Sequence, residues 1–529
     1  MSLSVFQGGP RSLVLAATVS VASLLVLAMM AASMTGTSAR QGKRSTSKAK
    51  HRNRHKQKIF MRGLYNLGNT CFMNSTLQSL ASLDEFNTYA DNCVKLLAAS
   101  DATNNHSADA EIAVQLNVVL EQLRPQASRA SVYSPRALVN SLSKKGRWMA
   151  SCAEQDAQEL FQMVSSTLQA TMRESDPSLF NTDFLANTAP IENSIVSTTS
   201  SSSSCRSANS AEQHPLRRRC STATCGMPPF ANPLLGMAAS RIACVKCGYT
   251  AAIRHFTFDN LSLTVPRVRH TTVEECLSMY TVIDQLDDFK CRYCTVAATL
   301  ALTRTDIQKR QSELAELDAF SKQTVRKSAA LATLIDQQHQ LEQALSSNPE
   351  AELKGIKLVS PLPGISTKQT MIARTPKILV LHLSRSIFLP TGDTIKNTAH
   401  VRLQPLLDIS PFSTTGYINT GASRPISGPG NFSGIASADS YAQAQHNNCL
   451  YRLSAVVLHT GAHNSGHYVA YRRVSPATDT PSDETDAKPE QPWAQEGRWF
   501  MLSDAETSEV SIDTVLGTGT GYMLFYERI

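Results

Sequence analysis

Acidic residues, aromatic rings and paired cysteines are what this 529-residue chain has little of. Charged residues make up 18% of it and aromatics 6%, both modest, so part of the chain is expected to stay outside any packed core. Asp and Glu are missing altogether between Arg40 and Arg62, where ten Lys and Arg stand. The net charge of +8 is therefore local, and the remainder of the chain sums to about −2. Nucleic-acid binding calls for cations spread over a folded face among aromatic rings, so no nucleic-acid partner is expected. Of the 12 cysteines, four fall as two C-x-x-C pairs and the others are scattered without a framework. That pattern excludes a disulfide-stapled secreted scaffold and suits a reducing compartment with a metal site. No internal repeat is present.

One stretch lacks charge completely. Leu13 to Met34 is 22 residues long, and at 1.5 Å per residue it reaches about 33 Å, enough to cross a hydrocarbon core. A cleaved signal peptide is the alternative, because the small residues Thr37 to Ala39 mimic a cleavage site. The run exceeds a usual signal core, however, and its positive flank lies on the C-terminal side. The expected order is a short tail (1–12), a transmembrane helix (13–34) and a basic tether (35–59) that can touch anionic headgroups, with everything after it in the cytosol.

Folded sequence starts near Phe60 and continues to 529, with insertions at about 190–231, 303–370, 410–447 and 475–495. Helical spacing of apolar residues runs over 72–97, 110–123 and 151–172. The segment from Ser197 is Ser-rich and aperiodic, which predicts a disordered insertion. His255 to Val265 alternates like a strand, and Pro376 to Ser386 reads as a buried one. Asp306 to Ser347 contains neither Gly nor Pro and predicts one or two long helices, either coiled-coil-like or a helical hairpin. Cys449 to Val474 predicts two strands joined by a Gly/Asn/His turn, and two strand-like blocks close the chain.

The chemistry begins at "GLYNLGNTCFMNSTLQSL", Gly63 to Leu80. Cys71 stands among small polar residues and opens a helical pattern, so its thiol falls in the first turn, where the helix dipole favours thiolate. His467 follows far downstream in "SGHYVAYRR", and Trp499 to Asp504 about thirty residues later. A lone Cys or a lone His is ordinarily core or surface filler. The order Cys, then His, then an orienting polar residue is that of thiol proteases. Cys244, Cys247, Cys291 and Cys294 have spacing suited to a tetrahedral structural zinc.

Together these blocks resemble the ubiquitin-specific protease family of deubiquitinases. The Gly63–Leu80 stretch resembles its cysteine box, and "LSAVVLHTGAHNSGHYVAYRR" with "WFMLSDAETSEV" its histidine box. "EQDAQELF", "PKILVLHLSR" and "YMLFYERI" match blocks between and after them. The resemblance implies an α+β, papain-like hand: a helical thumb, a β palm bearing the histidine, and β fingers holding zinc. Carried over by position, Cys71 is the nucleophile, His467 the general base and Asn66 the oxyanion-stabilising side chain. Most members place Asp or Asn four residues after the tryptophan, where this chain has Ser503, followed by Asp504. Ser503 is the expected third member, with Asp504 as the alternative, and Ser503→Ala is expected to be the more damaging change. Gln155 and Asp156 match positions that contact the ubiquitin tail, although an acidic residue there also suits a helix N-terminus.

An N-terminal anchor with a Cys-His-Ser triad is similar to the mitochondrial outer-membrane branch of that family. This similarity implies ubiquitin and ubiquitinated membrane proteins as partners, a lipid bilayer contacted through the N-terminal helix, and a role opposing ubiquitin-driven mitophagy. The endoplasmic reticulum is the alternative membrane. Competing readings are a catalytically weak, membrane-tethered ubiquitin-binding scaffold and a zinc-binding adaptor that works through its long helical insertion.

Overall fold

The structure is a computed structural model that describes residues 60–100, 107–125, 129–145, 155–176, 231–251, 253–316, 322–359, 363–414, 419–427, 448–463, 465–475 and 497–529. The expected membrane helix at 13–34, the basic tether, the Ser-rich insertion and most of the 475–495 loop lie outside those residues. Among the described residues no helix is long and apolar enough to cross a membrane.

The N-terminal half builds a helical layer: Cys71–Leu80, Asp84–Ala99, Ala108–Leu123, Arg136–Lys145 and Ala157–Ser175. The single helical stretch expected over 72–97 is two helices, broken at residues 81–83. The third helix is capped by Ser107, whose side chain accepts from Ala110 N, and the last by Asp156, as short polar side chains do at orphaned N–H groups. Every residue of Cys71–Leu80 is buried. Its hydroxyls are satisfied within the helix, Ser75 and Thr76 donating to Phe72 O and Ser79 to Ser75 O.

Behind these helices stands an eight-stranded sheet. Its strands run in the order Glu506–Val510, Arg498–Ser503, Gly466–Val474, Leu450–Gly461, Gly521–Arg528, Ile378–Ser384 and Leu261–Thr264, with Leu406–Asp408 also pairing with Leu450–Gly461. Only the edge pair of Leu261–Thr264 with Ile378–Ser384 is parallel among these. The near-continuous apolar runs of the central strands follow from burial on both faces. Val380, Val457 and Phe525 pack with the helices. Their neighbours Leu381, Val456 and Leu524 enter a second core on the opposite face, with Leu263, Val273 and Leu407.

A four-stranded sheet extends from this body in the order Arg254–Phe258, Gly236–Cys244, Gly364–Arg374, Asp284–Phe289. The alternating stretch His255 to Val265 is thus two strands, one in each sheet, divided at Asp259 and Asn260. The long helices form a hairpin, Arg292–Ala315 packed on Lys322–Ser347. It is cored at its base by Val296, Leu300, Leu341 and Ala344. Its first helix begins at Arg292, well before the Asp306 start that composition suggested.

One buried cation ties the helical layer to the sheet. Arg472, 3% exposed, projects from the strand Gly466–Val474 and donates to Gln78 Oε1, Leu123 O and Ala81 O at 3.1, 3.1 and 3.3 Å. Burial pushes its guanidinium down to about 10, so it remains charged near neutrality. Arg472→Met leaves Gln78 Oε1 and Leu123 O buried without that donor, while Ala81 O keeps the Asn87 amide. At roughly 1–3 kcal/mol per stranded group, the melting temperature should drop by several degrees. Arg304→Met breaks the exposed pair with Glu342 and should leave the melting temperature nearly unchanged. Calorimetric melts of the two variants check this ranking.

Candidate active site

The turn before Cys71 is wound around a single oxygen. Asn66 Oδ1 accepts from Gly68 N at 3.0 Å, Thr70 N at 3.2 Å and Thr70 Oγ1 at 3.3 Å, while Thr70 Oγ1 accepts from Leu67 N at 2.9 Å. Closing so tight a loop requires left-handed backbone at Gly68 (φ 104°) and Asn69 (φ 52°), conformations that Gly and Asn tolerate best. The helix then starts at Cys71 itself. With Oδ1 committed to the loop, the Asn66 amide nitrogen has to face the other way, where it donates to Asp504 Oδ2 at 2.9 Å.

Ser503 and Asp504 separate sharply. Ser503 is the last residue of its strand, and its Oγ lies 2.8 Å from His467 Nε2. Asp504 enters the left-handed region (φ 50°), and its carboxylate turns to the other side. Its Oδ1 accepts from Asn74 Nδ2 at 2.7 Å, and its main-chain oxygen accepts from Leu64 N at 2.8 Å. The alternative in which Asp504 orients His467 is therefore not what the geometry gives: that carboxylate is bonded to Asn66 and Asn74. The pairing depends on Gly63, where a Cβ would come within 2.5 Å of Ala505 O.

His467 follows Gly466 at the start of its strand, and the Cys71 helix packs on that same strand. Cys71 is 4% exposed, so only a slender group can approach its sulfur. Since Nε2 is occupied by Ser503, proton exchange between His467 and a thiol has to run through Nδ1. A second strand histidine, His382, lies 3.0 Å from Ser262 Oγ through Nδ1. Burial holds its pKa below the usual imidazole value, against the pull of Asp156.

Asp156 is a helix cap: Oδ1 accepts from Gln158 N at 2.7 Å, and Oδ2 accepts from Tyr522 OH at 2.5 Å. Burial, followed by the neighbouring carboxylate, pushes the Tyr522 phenol well above its ordinary range. Tyr522 in turn lies edge-on to Tyr468, with ring centroids 5.8 Å apart. Gln155 precedes the cap. Sequence reasoning missed Tyr522, Tyr468 and Asn74. No local signal marked Asn74, which is one of five polar residues in the helix Cys71–Leu80.

The four C-x-x-C cysteines converge. Their sulfurs all lie within 4.8 Å of one another, with Cys244 to Cys294 at 3.9 Å and Cys247 to Cys291 at 3.6 Å. Four thiolates about 2.3 Å from a tetrahedral zinc are about 3.8 Å apart, so small side-chain shifts would let this cluster hold that ion. One pair sits on a turn closed by Gly248 N donating to Cys244 O, with Gly248 at φ 73°. The other opens the long hairpin, Cys291 capping its first helix and Cys294 lying in the first turn.

Comparison with known proteins agrees with this layout. The family model described as ubiquitin carboxyl-terminal hydrolase matches residues 62–526. Ubiquitin carboxyl-terminal hydrolase 30 of Danio rerio is 27% identical over 491 residues, covering 90% of this chain and 87% of that protein. The Homo sapiens protein of that name is 24% identical over 536 residues, covering 90% and 85%. Ubiquitin carboxyl-terminal hydrolase 27 of Arabidopsis thaliana is 25% identical over 486 residues, covering 88% and 85%. A chain of the SAGA Ubp8/Sgf11/Sus1/Sgf73 DUB module bound to ubiquitin aldehyde has the same fold, with TM-score 0.51 and 18% identity over 89% of this chain and 70% of that one. The mixed helix-and-sheet, papain-like architecture expected from the motifs is the one observed. The chain belongs to the ubiquitin carboxyl-terminal hydrolase family and is a cysteine-type deubiquitinating enzyme.

Proposed function

We propose that Cys71, His467 and Ser503 form the catalytic triad and hydrolyse the isopeptide bond at the C-terminal Gly of ubiquitin. The observation that carries this reading is the 2.8 Å bond between His467 Nε2 and Ser503 Oγ, on a strand against the Cys71 helix. With Nε2–H donated to Ser503, Nδ1 takes the thiol proton. The thiolate attacks the Gly carbonyl. Protonated His467 then gives its proton to the departing lysine amine, leaving a thioester that water hydrolyses with His467 again as base. Asn66 stabilises the oxyanion through the amide hydrogen not given to Asp504, together with N–H groups of the helix's first turn. Asp504 is a positioning residue for Asn66. The near-complete burial of Cys71 favours an extended Gly-Gly tail over a bulky peptide, and Gln155 and Asp156 help bind that tail beside Tyr522.

Zinc is proposed at Cys244, Cys247, Cys291 and Cys294 as a structural cross-link, since four thiolates leave no open position for chemistry. The substrates proposed are ubiquitinated proteins of the mitochondrial outer membrane, whose deubiquitination opposes mitophagy. This rests on the uncharged run Leu13 to Met34 and its basic flank, and on likeness to the membrane-anchored branch of the family. A fluorescent fusion of residues 1–60 should ring mitochondria; a reticular pattern overturns the placement.

A ubiquitin C-terminal electrophile should label the wild-type chain on Cys71 and fail on Cys71→Ala; no adduct on the wild type favours a binding scaffold. Ser503→Ala removes a neutral bond worth about 0.5–1.5 kcal/mol, so kcat should fall about two- to twelvefold. Asp504→Ala releases Asn66 and should cost about 10²–10³, as losing one oxyanion donor does. This ranking reverses the one drawn from the sequence. The double variant Asn66→Ala/Asp504→Ala should be no slower than Asn66→Ala alone; additive losses in steady-state assays would separate the two residues.

Native mass spectrometry should find one zinc per chain, and Cys291→Ser should lose it together with thermal stability. A folded, metal-free wild type would end the zinc proposal.

A further inference from the structure

A two-stranded ribbon, Ser386–Phe388 paired with Thr394–Lys396, stands outside both large sheets and ends on Lys396. From there the ammonium reaches the strand Leu450–Gly461. Nζ donates to His459 O at 2.8 Å and Gly461 O at 3.1 Å, and it lies 3.1 Å from His459 Nδ1. An ammonium has no acceptor, so Nδ1 must accept, which leaves the ring neutral with its proton on Nε2.

The two carbonyls flank Thr460, the residue paired across the hairpin with His467. Thr460 Oγ1 also donates to His467 O at 3.1 Å. The His459 ring completes the cradle. It stacks on Tyr468 with centroids 4.5 Å apart and planes 22° apart. Gly466 approaches it so closely that a Cβ there would come within 2.5 Å of His459 Nε2. Both chain neighbours of His467, Gly466 and Tyr468, therefore rest on a ring whose orientation Lys396 fixes. Gly461 adds a further demand, because the strand leaves the sheet there at φ 110°, and Lys396 bonds the carbonyl of that left-handed residue.

We propose that Lys396 is a positioning residue for His467, acting through His459 and the Thr460 flanks to set where the imidazole stands. This rests on the general-base role proposed for His467. A displacement of about 1 Å at a reacting group can cost about 10²-fold in rate, so Lys396→Met should lower kcat on a ubiquitin-rhodamine substrate at least about tenfold. KM should change less than about twofold, because the change acts on the placement of His467 rather than on the Gln155 and Asp156 contacts proposed for the ubiquitin tail. Lys396→Arg, which keeps the charge and donors, should recover most of the rate. Lys396→Met/His459→Phe should be no slower than the slower single variant. A readout independent of turnover is the histidine 15N spectrum, in which His459 should show the neutral Nε2–H form in the wild type and lose that fixed tautomer in Lys396→Met. Unchanged kcat in Lys396→Met, a rise in KM that accounts for its loss, or an unaltered His459 spectrum overturns the proposal. A wild type that leaves ubiquitin-rhodamine uncleaved sinks the deubiquitinase reading instead, while the spectrum still judges Lys396.

Discussion

The structure turns on the left-handed step at Asp504. Extended backbone there would send its side chain to the face opposite Ser503 and continue the strand. With φ at 50° the chain instead folds back toward Leu64, and the carboxylate reaches Asn66 and Asn74 from the far end of the sequence. One turn thus joins the last third of the chain to its first helix. The neutral bond goes to the imidazole, and the charged group goes to the amide before the cysteine. Placing the formal charge on Asn66 and Asn74 rather than behind the histidine gives up some stabilisation of an imidazolium, since hydrogen bonds to charged groups contribute about 1.5–3 kcal/mol and neutral ones about 0.5–1.5. In return the Asn66 amide, proposed here as the oxyanion donor, is held by a charge-assisted bond and does not need to reorganise as the reaction proceeds.

The parts of this arrangement that were legible beforehand are those encoded locally. Cys71 was readable because a helix start and a run of small polar residues coincide within a few positions. The convergence of Cys244, Cys247, Cys291 and Cys294 was readable because C-x-x-C spacing brings thiols together two at a time. The role of Asp504 was not, because it depends on one backbone dihedral and on partners more than 400 residues away. Strand periodicity assigns opposite faces correctly, yet it cannot say that the strand has already ended. The same limit explains the stretch from His255 to Val265. The alternation is interrupted there only by the polar pair Asp259 and Asn260, yet the chain at that pair passes from one sheet to the other. In the 410–448 region, Gly, Ser and Pro indicated only loop. Residues 419–427 are nevertheless pinned, with Asn419 O and Arg424 O accepting from Arg241 and Ile426 N donating to Gln369.

The helical hairpin illustrates how an insertion can be grafted without disturbing a framework. Its first helix begins inside the cysteine cluster, with Cys291 as cap, and the chain returns through residues 348–359 to the strand Gly364–Arg374 of the small sheet. Tyr249 and Tyr293, each two residues past a cluster cysteine, stack with centroids 5.7 Å apart. Tyr249 OH donates to Glu350 beyond the second helix. A rigid base of this kind lets the helices extend outward while their ends stay close together, and close ends are what a surface insertion needs to be tolerated.

A shared device also recurs at the joints between elements: a cation answered by main-chain carbonyls. Arg385, 5% exposed, donates to the carbonyls of Asn397, Ala399, Gly519 and Gly521. Arg241 binds the 419–427 segment, and Arg472 binds the ends of two helices. Burial lowers the guanidinium pKa in each case, to about 10 for Arg385 and Arg472. Loops and helix C-termini expose carbonyls that have no ladder partner, and one guanidinium with five donors can satisfy several at once. A carboxylate partner would consume those donors and leave the carbonyls stranded. Lys396 does the same work with three donors at the edge of the His467 hairpin. The hairpin that carries His467 therefore has a cation contact on each strand, Arg472 on Gly466–Val474 toward the helices and Lys396 on Leu450–Gly461 toward the turn, so its placement is fixed by long-range bonds to carbonyls as well as by the ladder of the sheet.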